Sequence, residues 1–171
     1  LADKVRALKL GNGLEPGVQV GPLIDDQGLG KVRLHVDDAV RKGAKALCGG
    51  RVRTEGEFGK GHFFEPTVLT NVNTEMKVAV EETFGPVAPL IPFRSEEEVL
   101  AKANNTPFGL AAYFYTKDAA RLFRVMEKLE YGIVGANDYA PAVPQAPFGG
   151  FKESGIGREG GSYGLDEYLE I

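Results

Sequence analysis

Apolar residues recur along this chain in two different periods, and the switches between the periods predict an α/β protein. A spacing of three and four residues predicts helices that begin near Leu1, Asp25, Ser95 and Asp118. Between these helices lie short apolar runs bounded by glycine, proline or polar residues, which are typical of buried strands. The runs are residues 44–47, 63–69, 87–93, 111–115 and 132–136.

Single residues mark the starts of two helices and an interruption in one strand. Either Asp25 or Asp26 can cap the second helix, since a carboxylate oxygen there accepts a free backbone N–H. Ser95 and Glu98 have the spacing of a capping box. Pro66 interrupts the run 63–69, and because proline has no N–H to give to a ladder, we expect an edge strand or an irregular stretch there.

The order of elements between residues 87 and 136 predicts how the sheet is built. Strand, helix, strand, helix and strand follow one another, which predicts two right-handed crossovers and at least three parallel strands. We therefore expect an open parallel sheet with flanking helices over residues 1–161. Residues 162–171 form a separate C-terminal segment whose alternation predicts an unpaired strand. The helical period is already under way at Leu1, so we expect the chain to be part of a longer protein.

Composition and charge exclude several classes of function. The net charge is −4 and no basic stripe is present, which argues against a nucleic-acid partner. No apolar run approaches the roughly 20 residues that a membrane helix needs. Cys48 is the single cysteine, so no internal disulfide framework is possible and a reducing compartment such as the cytoplasm is expected. His35 and His62 are isolated in the sequence, and we expect no metal site.

The segment 147–161 (PFGGFKESGIGREGG) contains six glycines, and residues 155–160 within it match the dinucleotide fingerprint G-x-G-x-x-G. That fingerprint needs a buried strand before it, a helix after it and an acidic residue about 20 positions on. Only eleven residues follow Gly160. A stand-alone dinucleotide-binding module is therefore an alternative that requires residues 155–160 to open a helix. We interpret the segment's charged residues as a solvated or interface-facing set: Lys152, Glu153, Arg158 and Glu159.

Two adjacent carboxylates precede an aromatic ring at Glu81, Glu82 and Phe84. A carboxylate can accept hydrogen bonds from both hydroxyls of a ribose, and an aromatic ring can flank a flat heterocycle. The alternative is that both glutamates finish a short surface helix and Phe84 belongs to the core.

Four motifs in order make the whole chain similar to one superfamily. They are EETFGPVAPL at 81–90, NNTPFGLAAYFYTKD at 104–118, EYGIVGAN at 130–137 and PFGGFKESGIGREGG at 147–161. Together they resemble the NAD(P)-dependent aldehyde dehydrogenases, most closely the succinate-semialdehyde dehydrogenase branch. The resemblance implies the C-terminal part of the catalytic domain, followed by a strand that joins subunits.

The resemblance implies that NAD or NADP is the cofactor, bound mainly by an N-terminal domain that these residues do not include. Glu82 resembles the glutamate that binds the nicotinamide ribose. Phe84 resembles the phenylalanine beside the nicotinamide, and Lys31 matches a lysine near the same ribose.

The resemblance also assigns residues to a substrate tunnel. Asn137 and Phe148 match positions around it, and residues 138–146 would form part of its wall. Succinate-semialdehyde enzymes commonly carry a serine where this chain has Ala142, and that serine helps to hold the distal carboxylate. Since the loop contains no cation, recognition of a carboxylate would have to come from upstream residues.

The chemistry implied by the resemblance is covalent. A cysteine thiolate attacks the aldehyde, a hydride passes to the nicotinamide, and a glutamate-activated water releases the acid. The nucleophile, the general base and the oxyanion asparagine lie upstream in the superfamily, so no catalytic residue is expected here and the chain alone should be inactive. Cys48 ends an apolar strand, where a thiol is usually buried and inert.

The expected partners are a small aldehyde substrate and, for the full-length enzyme, further copies of itself. No nucleic acid or membrane partner is expected, and the expected location is cytoplasmic. Besides the dinucleotide-binding module, the second alternative is an assembly or interaction module without catalysis, based on the unpaired terminal strand.

Overall fold

The computed structural model describes residues 1–170, which divide into two compact units. The first unit is Leu1–Pro92, and the second begins at Phe93. Both combine helices with short open sheets, so the predicted α/β class is confirmed. The assignment of residues 1–161 to one catalytic domain stays a prediction.

The first unit contains three helices and five strands. In chain order they are α1 (Ala2–Arg6), α2 (Asp26–Arg41), β1 (Lys45–Cys48), β2 (Val52–Arg53), a 3-10 helix (Gly56–Lys60), β3 (Phe63–Phe64), β4 (Thr67–Thr70), α3 (Lys77–Val80) and β5 (Val87–Pro89).

The predicted edge or irregular stretch at residues 63–69 is wrong for its second half. β4 is the middle strand of a three-stranded sheet, antiparallel to β1 and parallel to β5. Pro66 lies between β3 and β4, so it removes no N–H from the β4 ladder. β3 pairs with β2 in a separate sheet, and the proline therefore divides one apolar run between two sheets.

The core of the first unit forms between α2 and this sheet. Asp25 caps α2, as expected, because its Oδ1 accepts a hydrogen bond of 2.7 Å from the backbone N–H of Gly28. The helical period then places one apolar stripe against the sheet and the segment that follows it. Fully or almost fully buried side chains in this core are Val32, Val36, Ala39, Phe64, Leu69, Val72 and Met76.

The second unit contains two helices and four strands. In chain order they are α4 (Glu96–Asn104), β6 (Phe108–Gly109), β7 (Ala111–Phe114), α5 (Ala119–Lys128), β8 (Ile133–Ala136), β9 (Phe151–Lys152) and a 3-10 helix (Tyr163–Tyr168). β7 and β8 are parallel and α5 connects them, so this crossover is confirmed. Three parallel strands in one sheet were expected, but β5 pairs with β4 in the first unit and β7 pairs with β8.

The predicted C-terminal strand is not what the structure shows. Tyr163–Tyr168 is a 3-10 helix, and Ile171 lies outside the described residues. Local hydrogen bonds such as Leu165 N–H to Ser162 O (3.3 Å) satisfy backbone groups that a strand would offer to a partner. The role of this segment in joining subunits stays a prediction.

Glu96, in the first turn of α4, ties that helix to α5. Its carboxylate accepts hydrogen bonds from Arg124 Nε (2.7 Å), Arg124 Nη2 (2.8 Å) and Arg121 Nε (3.1 Å). The Glu96 side chain is only 17% exposed. The bonds from Arg124, and then those from Arg121, lower the pKa of Glu96 to about 2.

We expect Glu96→Gln to lower the melting temperature of the second unit near neutral pH. Because the folded pKa is depressed, the stabilisation is fully present above the unfolded pKa of 4.5 and is lost as the pH falls through about 2. The melting temperatures of the parent protein and of Glu96→Gln should therefore converge as the pH falls from 4.5 to about 2. Glu153→Gln is a matched control, since Glu153 is exposed. A melting difference that stays constant from neutral to acid pH would contradict this account.

Candidate functional site

Helix α2 lies beside residues 75–77 and holds them with polar side chains from its C-terminal half. Lys42 Nζ donates to the carbonyl oxygen of Glu75 at 2.7 Å. One turn earlier, Asp38 Oδ2 accepts from the backbone N–H of Lys77 at 2.9 Å, which seats the start of α3. This backbone bond is the main reason that the pKa of Asp38 is lowered.

His35 continues this row of contacts along α2. The imidazole is completely buried, with Nδ1 3.0 Å from Thr83 Oγ1 and Nε2 3.1 Å from Glu81 Oε2. Glu81 also accepts from Lys77 Nζ at 2.8 Å. The bond from Lys77 is the main cause that lowers the pKa of Glu81, and the bond from His35 adds to it.

Glu82 lies between the two residues that bind His35, and Phe84 follows the second of them. The backbone at Glu81 is extended (φ −108°, ψ 140°), and successive side chains of an extended chain face opposite sides. Glu81 and Thr83 both bind His35, whereas Glu82 between them is exposed and has no hydrogen bond or ion pair inside residues 1–170. Phe84 has φ +51° and is 84% exposed. The alternative that placed Phe84 in the core is wrong.

Gly85 packs closely on Val32, the residue of α2 that follows Lys31. A Cβ at Gly85 would overlap Cγ2 of Val32, so only glycine allows this approach. Lys31 precedes Val32, is exposed, and makes no ion pair within the part of the chain that the structure describes. Lys31, Glu82 and Phe84, the three residues predicted to bind the cofactor, are thus exposed residues of the first unit, and their joint role in a site stays a prediction.

These three exposed side chains have the chemistry that a nicotinamide riboside needs. An unpartnered carboxylate can accept hydrogen bonds from two ribose hydroxyls, and an exposed aromatic ring can cover a flat heterocycle. An exposed ammonium supplies donors and positive charge. The residues present therefore suit the nicotinamide half of NAD or NADP.

In the second unit, Asn137 acts on the backbone at the end of β8. Its Oδ1 accepts from Thr116 N–H (2.8 Å), and its Nδ2 donates to Thr116 O (2.9 Å). These two bonds imitate one more rung of the β7–β8 ladder, and Asn137 takes φ +58°, a conformation that asparagine tolerates. Asn137 thus sets the direction in which residues 138–146 leave the sheet. Its contact with a substrate stays a prediction.

The other two predicted tunnel residues lie on the loop and just after it. Ala142 is exposed and Phe148 is half-buried. Phe148 and Glu159 form an antiparallel bridge, with N–H to O distances of 2.6 and 2.8 Å. Gly161 N–H donates to Pro144 O at 2.9 Å, so the end of the loop is closed against the end of the glycine-rich segment.

Residues 155–160 do not open a helix in this arrangement. They form an irregular stretch that includes the bridge to Phe148, and the next element is the 3-10 helix that begins at Tyr163. The dinucleotide fingerprint requires a helix here. The alternative of a stand-alone dinucleotide-binding module is therefore wrong, because residues 155–160 do not form the start of the helix that it requires.

Two of the charged residues in this segment are structural rather than solvated. Lys152 Nζ donates to Asn104 O at 2.8 Å and pairs with Glu130 at 2.9 Å. Arg158 Nη1 donates to the carbonyl oxygens of Gly150 (2.9 Å) and Gly157 (2.8 Å). The sequence concealed this, because a cation that binds carbonyls has no sequence pattern. Glu153 and Glu159 are exposed, as expected.

Cys48 ends β1, half-buried, beside a cavity of about 220 Å³ that Arg6 and Arg53 also line. The sequence suggested no cation near this thiol. Both guanidinium groups are already committed, however: Arg6 binds Asp3 and the carbonyl oxygen of Leu47, and Arg53 pairs with Glu55 and Glu65. Neither is left free to activate a thiolate.

His35 and Thr83 are the site residues that sequence reasoning missed. The helical period offered a signal, since His35 falls three residues after Val32 on the apolar face of α2, where an unpartnered imidazole would be costly. Within residues 1–170, no group of three His, Cys, Asp or Glu side chains is arranged to hold a metal ion. None of the described helices has both the length and the apolar character to cross a membrane.

Comparison with known proteins gives the same family throughout. The aldehyde dehydrogenase family profile matches residues 1–171. The chain is 56% identical to 3-sulfolactaldehyde dehydrogenase of Pseudomonas putida and 53% identical to the NADP+ succinate-semialdehyde dehydrogenase of Escherichia coli K12. Each match includes all of this chain but only 34% and 35% of the relative, so the chain spans about a third of their length.

Solved structures agree with this match. An aldehyde dehydrogenase from Brucella melitensis biovar abortus 2308 superimposes with a TM-score of 0.92 at 56% identity, over 99% of this chain and 34% of that one. Betaine aldehyde dehydrogenase of Staphylococcus aureus in complex with NAD+ superimposes with a TM-score of 0.93 at 42% identity, again over 99% of this chain and 34% of that one. The chain therefore belongs to the aldehyde dehydrogenase family.

Proposed function

We propose that this chain is the C-terminal part of an NAD(P)-dependent aldehyde dehydrogenase that oxidises a semialdehyde to the acid through a thioester on an upstream cysteine. The observation that carries the proposal is that the Glu82 carboxylate and the nearby Phe84 ring are exposed without a partner in the described chain. We assign these residues to a cofactor because the chain belongs to the aldehyde dehydrogenase family.

In this proposal the chain positions the reactants while the reactive sulfur lies elsewhere. When bound, NAD(P)+ supplies the hydride acceptor. Glu82 accepts hydrogen bonds from the hydroxyls of the nicotinamide ribose, and Lys31 approaches the same ribose. Phe84 lies against the ring and limits its freedom. Such positioning lowers the barrier because the reacting atoms are already oriented.

The substrate class follows from the two curated relatives described above. One is named for succinate semialdehyde, which carries a distal carboxylate, and the other for 3-sulfolactaldehyde, which carries a distal sulfonate. We infer a small aldehyde with a distal anion, with succinate semialdehyde the first candidate. Ala142 offers this anion no hydrogen bond, and Arg158 and Lys152 are bound to carbonyls. The cation that selects the anion therefore belongs to upstream residues.

We further propose that the full-length enzyme is a cytoplasmic homo-oligomer. Supporting the association of copies, four apolar side chains around the C-terminal 3-10 helix are exposed, and exposed apolar patches often mark interaction surfaces. They are Tyr163, Leu165, Tyr168 and Leu169. An assembly module without catalysis is the second candidate, which the same exposed side chains favour.

A chimeric enzyme tests the proposal directly. The upstream two thirds of the Escherichia coli relative would be joined to residues 1–171 of this chain. We expect the chimera to oxidise succinate semialdehyde with NADP+, because this chain supplies the missing wall and ribose contacts. NADPH formation would be followed by absorbance, with 3-sulfolactaldehyde compared under the same conditions.

The control for the chimera is the upstream part expressed alone, which should be inactive. A soluble chimera that binds NADPH but oxidises neither aldehyde would contradict catalysis. The assembly module would then be the better conclusion.

A further inference from the structure

We propose that His35 is a positioning residue for the nicotinamide cofactor. It holds Glu81 and Thr83, and it thereby fixes the directions of Glu82 and Phe84, which follow them. This inference rests on the proposed function. His35 itself is completely buried and touches neither ribose nor ring. It acts through its two hydrogen bonds, to Glu81 and to Thr83.

The first step is the direction of Glu82. A single residue in a surface segment can turn either way, and an exposed glutamate gains little from any one direction. Here the residues on both sides of Glu82 are bound to one imidazole, at 3.1 Å for Glu81 and 3.0 Å for Thr83. In an extended segment this leaves the side chain of Glu82 the opposite side, away from α2.

The second step is the backbone of Phe84. A positive φ is costly for a residue with a bulky side chain and persists only where the surroundings impose it. Phe84 has φ +51°. Thr83 before it is held by His35, and Gly85 after it is packed on Val32. Two contacts on adjacent turns of α2 thus impose the conformation that exposes the ring.

The third step is the reason for a histidine at this position. The ionised carboxylate of Glu81 can only accept a hydrogen bond, so Nε2 of His35 donates to it. In the neutral imidazole Nδ1 is then an acceptor, and the hydroxyl of Thr83 donates to it. One neutral tautomer satisfies both partners. A leucine would fill the space but would hold neither neighbour of Glu82.

A purely structural histidine predicts something different from a positioning one. If His35 only stabilised the core, its replacement would lower the melting temperature and leave cofactor binding unchanged. If it positions Glu82 and Phe84, its replacement weakens the binding of NADPH even in protein that remains folded. The distinction needs a control that loses stability from the same helix without touching residues 81–84.

The experiment uses the chimeric enzyme with His35→Leu, His35→Asn and Thr83→Val, and Val36→Ala as the matched control. Val36 is a buried neighbour on α2, and its truncation leaves a cavity. Fluorescence titration with NADPH gives the dissociation constant without turnover, and steady-state rates give KM for NADP+ and for the aldehyde. Thermal melts report the stability of each variant.

We expect His35→Leu to raise the dissociation constant of NADPH and the KM for NADP+ about tenfold, with the aldehyde KM nearly unchanged. Asparagine can replace Nδ1, so His35→Asn should keep the bond to Thr83 and recover most of the affinity. Thr83→Val removes that bond from outside the core and should weaken NADPH binding even if His35→Leu does not fold. Val36→Ala should lower the melting temperature without changing the NADPH dissociation constant.

Equal NADPH dissociation constants for the parent chimera, for Thr83→Val and for folded His35→Leu would overturn the positioning role. So would a loss of affinity in Val36→Ala as large as that in His35→Leu. A parent chimera that does not bind NADPH at all would instead overturn the proposed function, and this inference with it. The two failures are thus distinguished by the unsubstituted chimera.

Discussion

Purified by itself, the 171-residue chain should show no aldehyde-dependent reduction of NAD+ or NADP+. The proposed reaction needs a thiolate, and the only cysteine here is Cys48. That thiol is half-buried at the end of β1, and the arginines that line its cavity are occupied by carboxylates and a carbonyl. Among the described residues that line this cavity, Glu65 is the one carboxylate, and it pairs with Arg53 rather than with the thiol. Absorbance of the reduced cofactor should stay at the buffer value.

The control is the chimeric enzyme at equal concentration, which should turn over under the same conditions. Cys48→Ser should leave the activity of the chimera unchanged, because the nucleophile is upstream. Turnover by the chain alone that disappears in Cys48→Ser would show instead that this thiol is the nucleophile. The proposed division of labour between the two parts of the enzyme would then be wrong.

In the chimera, Glu82→Gln should lower kcat/KM for NADP+ about 30-fold. The amide keeps the shape of the carboxylate but not its charge, and hydrogen bonds to a charged acceptor are stronger than those to a neutral one by about 1 kcal/mol each. Two ribose hydroxyls then account for about 2 kcal/mol, which corresponds to about 30-fold in rate. The KM for the aldehyde should remain unchanged.

Glu75→Gln is the matched control for this substitution. Glu75 is an exposed glutamate of the same unit, and its carbonyl oxygen rather than its carboxylate is bound by Lys42. Both variants should melt at nearly the same temperature, since neither carboxylate has a partner in residues 1–170. Indistinguishable steady-state constants for Glu82→Gln and Glu75→Gln would remove Glu82 from the site.

The parts of the fold that sequence reasoning predicted well are those controlled by local chemistry. Asp25 and Ser95 cap the helices that follow them, because a cap depends on one side chain and the next few N–H groups. The β7–α5–β8 crossover follows from its apolar runs. The edge strand or irregular stretch predicted from Pro66 was wrong for β4. The effect of a proline on a ladder depends on which residues pair, and Pro66 falls between two strands.

For the candidate site, the sequence pointed to Glu82 and Phe84 but not to what holds them. His35 is 46 residues before Glu81, and no local pattern couples the two. Lys152 and Arg158 were misjudged for the same reason, since the carbonyl oxygens that they bind become neighbours only after folding. The C-terminal strand was mispredicted because alternation gives a segment two faces but does not give it a partner.

The amino-acid sequence by itself determined the family, the α/β class and the identities of the residues that face the cofactor in our proposal, because motifs and periods are properties of the chain. The tertiary structure alone decided that one buried imidazole binds Glu81 and Thr83 and that Gly85 packs on Val32, on either side of Glu82 and Phe84. The physical reason is that hydrogen bonds and close packing act over a few ångströms in space. Only the folded chain brings α2 within that range of the segment that it orients.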